Sequence, residues 1–192
     1  TDKVKVREAE GKGPIQKFLA DAAREHKIWI IGGSVPLASD DPKRVRNSCL
    51  VYDDKGRQVA RYDKMHLFRF EGGKGERYDE GRAIEAGSGL TLVESPYGRI
   101  ALSVCYDMRF PELFRAFTAQ GAQAVLLCSG WPTPRIEHWD VLSQARAIEN
   151  QCHVLAAAQG GIHPNGRRTW GHSMLVDPWG EICSVLPEGE GI

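Results

Sequence analysis

Cys105 occupies a position in the sequence where a thiol could act as a nucleophile. It follows the apolar run IALSV at 100–104 and comes shortly before a predicted helix that begins at residue 111. A strand-to-helix junction can hold a thiol on a tight turn, near helix N–H groups that stabilise a thiolate. The position alone is a weak signal, because cysteine is among the most buried residue types and more often belongs to a core.

Lys64 and Glu80 are charged residues that could assist such a nucleophile. Lys64 follows a predicted strand and lies among residues of half-buried character, where it could supply a fixed positive charge to an oxyanion. The alternative is a lysine that merely extends from a strand end toward solvent. Glu80 lies in a glycine-rich segment at 69–89, and its default interpretation is a solvated loop carboxylate. Residue type alone does not choose between these interpretations.

The histidines allow a second hypothesis, a Cys–His hydrolase. No spacing singles out one partner for Cys105 among the four candidates, His66, His138, His153 and His172. The ligand spacings of known zinc sites are absent from the sequence, and so are the glycine patterns of nucleotide-binding loops. The sequence therefore implies neither a metal nor an organic cofactor.

Composition argues against proteins that bind nucleic acid or membranes. The 192 residues include 25 Lys plus Arg and 25 Asp plus Glu, so the formal net charge is zero. A neutral chain has no broad basic field, which argues against nucleic acid or an anionic membrane as a partner. The five cysteines are widely spaced and form no C-x-x-C pair, which favours a reducing, cytoplasmic compartment. No apolar stretch reaches the roughly 18 residues that would span a bilayer.

Hydrophobic periodicity and turn residues predict a layered α/β fold in one domain over residues 1–192. Helices are predicted at 14–26, 111–120 and 135–150. The segment 69–89 is predicted to be a long loop, and turns are expected at 53–56, 164–166 and 177–180. Strands are predicted at 27–31 (ending at Gly32-Gly33), 48–52, 58–62, 90–94, 99–104, 124–127, 153–158, 172–176 and 181–185. Hairpins alternate with strand–helix–strand units, which indicates mixed sheets rather than a doubly wound parallel sheet.

Several ordered motifs resemble those of the nitrilase superfamily of carbon–nitrogen hydrolases. Residues 62–68 (YDKMHLF) are similar to its lysine motif, and residues 105–113 (CYDMRFPEL) to its cysteine motif. Lys64 precedes Cys105 by 41 residues and Glu80 precedes it by 25, and both separations are typical of that family. Further similar segments follow in family order at 138–139, 146–150, 171–174 and 177–181.

The resemblance implies an α-β-β-α sandwich, four-layered on homodimerisation, and a Glu–Lys–Cys triad. It assigns the nucleophile to Cys105, the oxyanion-stabilising charge to Lys64, and the orientation of that lysine to Glu80. It makes the backbone N–H of Tyr106 the second oxyanion donor. It also implies substrate-binding positions at Arg109 and Trp131, no cofactor, and a homodimer or a higher homo-oligomer.

The form of the motifs resembles the Nit1-type amidases, with the ω-amidases nearby. The implied reaction converts a small amide and water into an acid and ammonia through a cysteine thioester. Carboxylate-bearing amides such as deaminated glutathione or α-ketoglutaramate are the implied substrates. Hydrolysis of N-carbamoyl amino acids or of nitriles is the alternative within the family.

One member of the family pattern matches no residue of the chain. The general-base glutamate of the family stands in a Pro-Glu context well over a hundred residues before the cysteine, so it is expected upstream of Thr1. Glu8 and Glu10 lack the apolar strand context and are not assigned this role. The domain is therefore expected to be incomplete at both ends and, taken alone, slow in turnover. A non-catalytic binding module that retains the pocket remains the alternative of another class.

Overall fold

The computed structural model describes residues 2–73, 77–164, 166–188 and 191. The chain divides into two compact units, one ending at Thr91 and one beginning at Leu92. Each unit combines helices with β-sheet, so the predicted α/β class is confirmed. No helix in the described ranges is long and apolar enough to cross a membrane.

The first unit is built on a three-stranded antiparallel sheet in the order β1-β2-β3. Helix α2 packs on this sheet through a small apolar core that contains Ala23, Leu37 and Leu50. Strands β2 and β3 form the predicted hairpin around 53–56. The elements of this unit are α1 (Asp2–Lys5), α2 (Pro14–His26), β1 (Ile30–Ala38), β2 (Val45–Tyr52), β3 (Gln58–Asp63), β4 (Arg69–Glu71) and β5 (Arg77–Asp79).

Helix α2 has the predicted bounds, and its first turn is held by the carboxylate of Glu8, which precedes the helix in the sequence. Pro14 occupies the first turn, where the missing N–H is not needed. The carboxylate of Glu8 accepts hydrogen bonds from the backbone N–H groups of Ile15, at 2.6 Å, and Gln16, at 3.1 Å. Two N–H groups that have no acceptor within the helix are thereby satisfied.

Strand β1 differs from the prediction, which ended it at Gly32-Gly33. The strand continues to Ala38 and absorbs an irregularity in its pairing with β2 between Gly32 and Val35. A Cβ on Gly32 would lie 2.6 Å from Cδ1 of Leu19 in α2. The glycine is therefore explained by the close approach of the helix to the strand, and it does not mark a chain reversal.

The prediction of an unstructured loop over 69–89 is wrong in part. Strands β4 and β5 pair as an antiparallel hairpin, and a short 3₁₀ turn at Glu80–Arg82 follows them. Residues 74–76, in the middle of this segment, lie outside the described ranges. The hairpin is too short and too charged to show the alternation of a half-buried strand, which explains why the sequence did not reveal it.

The second unit contains a six-stranded mixed sheet in the order β13-β12-β9-β8-β7-β6. Strands β7, β8 and β9 are parallel, and the outer pairings are antiparallel, so the predicted mixture of strand directions is confirmed. The elements are β6 (Leu92–Ser95), β7 (Gly98–Val104), α3 (Pro111–Ala119), β8 (Ala124–Ser129), α4 (Ile136–Asn150), β9 (His153–Ala158), β10 (Gly160–Ile162), β11 (Arg168–Trp170), β12 (Ser173–Val176) and β13 (Ile182–Leu186).

Helix α4 covers one face of this sheet. Trp139 and Ala147 of the helix share a buried cluster with Leu127, Val154 and Val176 of the strands. The small hairpin β10–β11 was not predicted as strands, although a turn was expected at 164–166. That turn is closed by a hydrogen bond from the His163 N–H to the Arg167 carbonyl oxygen, at 2.8 Å, while Asn165 lies outside the described residues.

Candidate active site

The backbone of Cys105 has an unusual, left-handed conformation. Its φ is +51°, a left-handed conformation that residues with a Cβ rarely adopt. It follows β7 directly and is the first residue of a 3₁₀ turn, Cys105–Arg109. Residues held in such conformations cost about 1–3 kcal/mol each and cluster at active sites. The predicted strand-to-helix junction at this cysteine is confirmed.

The position of Cys105 in the sheet agrees with this geometry. Strand β7 is parallel to β8, and Val104 is paired with Cys128 at the carboxyl end of both strands. In sheets with parallel strands, ligands bind outside the carboxyl ends. Cys105 is half-buried, and it packs against the cluster that contains Trp131 and Trp139.

Two buried polar side chains hold the turn after Cys105 in place. The carboxylate of Asp107 accepts a hydrogen bond of 2.8 Å from the Val104 N–H. The Nε of Arg146, in α4, donates to the Met108 carbonyl oxygen at 2.8 Å. Arg146 is only 5% exposed, and its Nη1 also lies 2.5 Å from Glu149. The sequence marked Arg146 only as part of a family segment and suggested no role for it.

The predicted oxyanion donor, the backbone N–H of Tyr106, belongs to the second residue of the same turn. N–H groups in the first turn of a helix have no acceptor within the helix, so they point toward whatever lies before it. The side chain of Tyr106 packs edge-on against Phe110, with ring centroids 5.5 Å apart. The role of the Tyr106 N–H stays a prediction.

Arg109 and Trp131, the predicted substrate-binding residues, lie together. The Arg109 guanidinium carbon is 5.2 Å from the Trp131 ring centroid and 5.8 Å from that of Tyr106. Trp131 itself is 2% exposed, and its indole N–H donates to the Arg135 carbonyl oxygen at 2.6 Å. Trp131 thus supports Arg109 from within the core, and its contact with a substrate stays a prediction.

Lys64 and Glu80 form a buried ion pair in the first unit. The Lys64 Nζ lies 2.6 Å from Oε2 of Glu80, and the two side chains are 1% and 11% exposed. The same carboxylate oxygen accepts a hydrogen bond from the Phe68 N–H at 2.8 Å. The expectation of a solvated loop carboxylate at Glu80 is therefore wrong, because the β4–β5 hairpin turns this glutamate onto Lys64.

The backbone on both sides of Lys64 is also fixed. Its N–H donates to the Asn47 carbonyl oxygen at 3.0 Å, and its own carbonyl oxygen accepts from the Gly87 N–H at 2.9 Å. A Cβ on Gly87 would lie 2.1 Å from the Asp63 carbonyl oxygen, so the chain passes here at a distance that only glycine permits. The ammonium is held at a defined place rather than at the end of a mobile side chain.

Two of the histidines have partners other than the cysteine. The Nδ1 of His138 lies 2.9 Å from Arg109, and the Nδ1 of His172 lies 2.7 Å from Asp140. His153 is exposed on β9. The contacts of His138 and His172 give no support to a Cys–His pair that involves either of these two residues. Across the described ranges, no group of three or more His, Cys, Asp or Glu side chains is arranged to hold a metal ion.

Comparison with known proteins agrees with the motifs. A deaminated glutathione amidase of Yersinia enterocolitica is 43% identical over 184 residues, which cover 94% of this chain and 64% of that protein. The human omega-amidase is 33% identical, with 94% of this chain and 65% of that protein covered. The chain thus spans slightly less than two thirds of the length of these relatives.

A solved structure extends the likeness to the fold. Saccharomyces cerevisiae Nit3, a member of the nitrilase superfamily, superposes with a TM-score of 0.87 at 28% identity. The match covers 99% of this chain and 68% of the yeast chain. The family model described as carbon-nitrogen hydrolase matches residues 2–192. The chain therefore belongs to the carbon–nitrogen hydrolase family, within the nitrilase superfamily.

Proposed function

We propose that the protein hydrolyses the C–N bond of small amides that carry a carboxylate, through a thioester on Cys105. The observation that carries this proposal is the left-handed backbone of Cys105 at the carboxyl end of β7. A core cysteine gains nothing from such a conformation, whereas a nucleophile on a tight turn is presented by it. The names of the amidase relatives support the same reaction class.

The proposed chemistry begins with attack of the Cys105 sulfur on the amide carbonyl carbon. The carbonyl oxygen gains negative charge, which Lys64 and the Tyr106 N–H stabilise in this proposal. One such donor contributes about 3–4 kcal/mol in comparable sites. Collapse of the tetrahedral intermediate breaks the C–N bond, releases ammonia and leaves a thioester. Water then attacks the thioester, giving the acid and the free thiol.

Glu80 has a supporting part in this proposal. Its contact with Lys64 keeps the buried ammonium charged, because an isolated charge in the interior would lose its proton rather than remain unpaired. The Phe68 N–H fixes the carboxylate in return. The assignment of Lys64 and Glu80 to the same site as Cys105 rests on the order and spacing of the family motifs.

The proton of the thiol needs an acceptor that can later protonate the leaving ammonia. Glu8 is engaged at the start of α2, and Glu10 pairs with Arg61 at 2.6 Å. Neither carboxylate is proposed as the base. The resemblance assigns this proton transfer to a glutamate that matches no position within residues 1–192.

Arg109 supports the choice of a carboxylate-bearing amide. A guanidinium binds a carboxylate through two parallel hydrogen bonds, which fixes the orientation of the substrate as well as its charge. Arg109 is half-buried and follows Cys105 by four residues in the same turn, so an anion held there would lie near the nucleophile. The deaminated glutathione amidase and the omega-amidase are the relatives whose names suggest substrates of this kind.

The test is ammonia release by the natural protein that contains residues 1–192. The substrates are α-ketoglutaramate, deaminated glutathione, an N-carbamoyl amino acid and a simple nitrile, assayed beside a Cys105→Ala variant. We expect release from the first two and none from the variant. Preference for the carbamoyl compound or the nitrile would move the protein to another branch of the family. The absence of release from all four would favour the binding-module alternative.

We extend the proposal to a cytoplasmic homo-oligomer. Val141 and Ile148 lie seven residues apart on one face of α4 and are 62% and 52% exposed, which is unusual for two apolar side chains so placed. The odd number of widely spaced cysteines favours a reducing compartment. Sedimentation of the natural protein tests the assembly, and a monomer at micromolar concentration would contradict it.

A further inference from the structure

Arg109 is a half-buried cation for which the described part of the second unit supplies no counter-ion. Its guanidinium lies over the rings of Tyr106 and Trp131, at 5.8 and 5.2 Å from their centroids. Among the described residues of the second unit, no carboxylate lies within ion-pair distance of it. Cations withdrawn from water are normally paired with an anion, so this arrangement indicates a place for an anionic ligand.

The one hydrogen-bond partner of the Arg109 side chain within this described region is a histidine. The Nη2 of Arg109 lies 2.9 Å from Nδ1 of His138. A guanidinium can only donate, so Nδ1 must be the acceptor and the ring proton must be on Nε2. This contact uses one of the five N–H donors of the arginine, and the others remain for a ligand.

The three contacts restrict different motions of the guanidinium. The rings of Tyr106 and Trp131 limit the tilt of its plane, and the His138 acceptor limits its rotation within that plane. His138 is the third residue of α4, and the indole N–H of Trp131 donates to the Arg135 carbonyl just before that helix, at 2.6 Å. His138 and Trp131 are thus both attached to the segment 135–138, and together they hold the Arg109 side chain in place.

We propose that His138 is a positioning residue, which turns the free edge of the Arg109 guanidinium toward the carboxylate of the substrate. This inference rests on the proposed hydrolysis of carboxylate-bearing amides and adds the residue that sets the preference for them. A two-point contact with a carboxylate requires the guanidinium to stand in one orientation. His138 is exposed, so its contact with Arg109 adds little stability to the fold and acts on selectivity instead.

The test compares two variants of equal shape, His138→Asn and His138→Leu. Both side chains branch at Cγ, and only asparagine places an acceptor oxygen near the position of Nδ1. The substrates are α-ketoglutaramate and its methyl ester, which differ in the charge of one group. The selectivity is the ratio of their kcat/KM values.

We expect His138→Leu to lower this ratio about tenfold, by raising KM for the acid, and His138→Asn to restore most of the ratio. His153→Leu, at an exposed histidine on β9, is the control and leaves the ratio unchanged.

A binding measurement separates this inference from the proposed function. Glutarate, a dicarboxylate that cannot be hydrolysed, is titrated calorimetrically into the unchanged protein and the three variants. Weaker binding to His138→Leu, with recovery in His138→Asn, supports the inference even if no amide is turned over. Equal binding to all four proteins, equal losses in the leucine and asparagine variants, or no binding to the unchanged protein would overturn it.

Discussion

The Nε of Arg146 lies 2.8 Å from the carbonyl oxygen of Met108, and this contact joins α4 to the turn that begins at Cys105. The guanidinium carbon also lies 5.2 Å from the Phe114 ring centroid. The planar guanidinium of Arg146 donates to the Met108 carbonyl oxygen and to the Glu149 carboxylate at the same time. A lysine ammonium on a flexible side chain does not reproduce this pair of contacts. The nucleophile is thus held from the helix as well as from its own strand.

Replacement of Arg146 by Met should therefore destabilise the protein strongly. It leaves a buried carbonyl oxygen and the Glu149 carboxylate without their partner, and such losses cost about 3–5 kcal/mol. Arg146→Lys should give an intermediate loss. Urea unfolding measures both, with Arg24→Lys as the control, because Arg24 is 60% exposed in its surface pair with Asp21. A methionine variant as stable as the control would show that Arg146 does not hold the turn.

Replacement of Glu80 by Gln should weaken both stability and turnover. The amide oxygen can still accept from the Phe68 N–H, but the charge opposite Lys64 is lost. We expect the free energy of unfolding to fall by about 3 kcal/mol, and kcat to fall at least about tenfold. Glu71→Gln in the same hairpin is the control, since Glu71 is 64% exposed in its pair with Arg77. Equal effects of the two substitutions would contradict a special role for the buried pair.

Alkylation should distinguish Cys105 from the other cysteines. Cys49, Cys128 and Cys152 are buried, and burial raises the pKa of the Cys152 thiol to about 11, so this thiol stays protonated at neutral pH. Cys183 is exposed and serves as the internal reference. We expect iodoacetamide at pH 7 to modify Cys105 about tenfold faster than Cys183, as measured by peptide mapping. Faster labelling of Cys183 would indicate an ordinary thiol at position 105.

Acid should loosen the start of α2 through Glu8. Burial alone would raise the pKa of this carboxyl, but hydrogen bonds from the Ile15 N–H and from the side chain and N–H of Gln16 outweigh it and lower the pKa below the usual 4.5. A lowered pKa in the folded state means that the stabilisation is present above the unfolded pKa and is lost as the pH falls through the folded one.

Glu8→Gln should therefore lower the stability at pH 7 and reduce the further loss on acidification to pH 3. Unfolding in urea at the two pH values measures this difference. Glu25→Gln, at an exposed position on the same helix, is the control and should retain the pH dependence of the unchanged protein. The assignment fails if Glu8→Gln loses as much stability on acidification as Glu25→Gln does.

The sequence predicted the elements whose signals are local. Helix α2 has both bounds as expected, because Pro14 marks its first turn and basic residues, Arg24 and His26, stand in its last turn. Strand β9 also has its predicted bounds, His153–Ala158. The predicted end of β1 was wrong, because Gly32 makes room for the side chain of Leu19 in α2 and does not end the strand. A contact between two elements leaves no signal in the local sequence.

The residues of the site lie far apart in the sequence, and only the order and spacing of the family motifs allowed them to be predicted together. Lys64 and Glu80 are 16 residues apart, with no periodicity that joins them, and only the resemblance suggested the ion pair. The contacts of Arg146 with Met108 and of His138 with Arg109 span 38 and 29 residues and were missed. Neither contact has a local signal, since each depends on how α4 is placed against the turn after Cys105.

Detection of the covalent intermediate is the most direct test of Cys105 as the nucleophile. The natural protein is quenched in acid during turnover of α-ketoglutaramate, and its peptides are weighed by mass spectrometry. We expect the peptide with Cys105 to gain the mass of the substrate less ammonia, and Cys105→Ala to show neither this adduct nor ammonia release. Ammonia release that survives in Cys105→Ala, or an adduct on another residue, would contradict it.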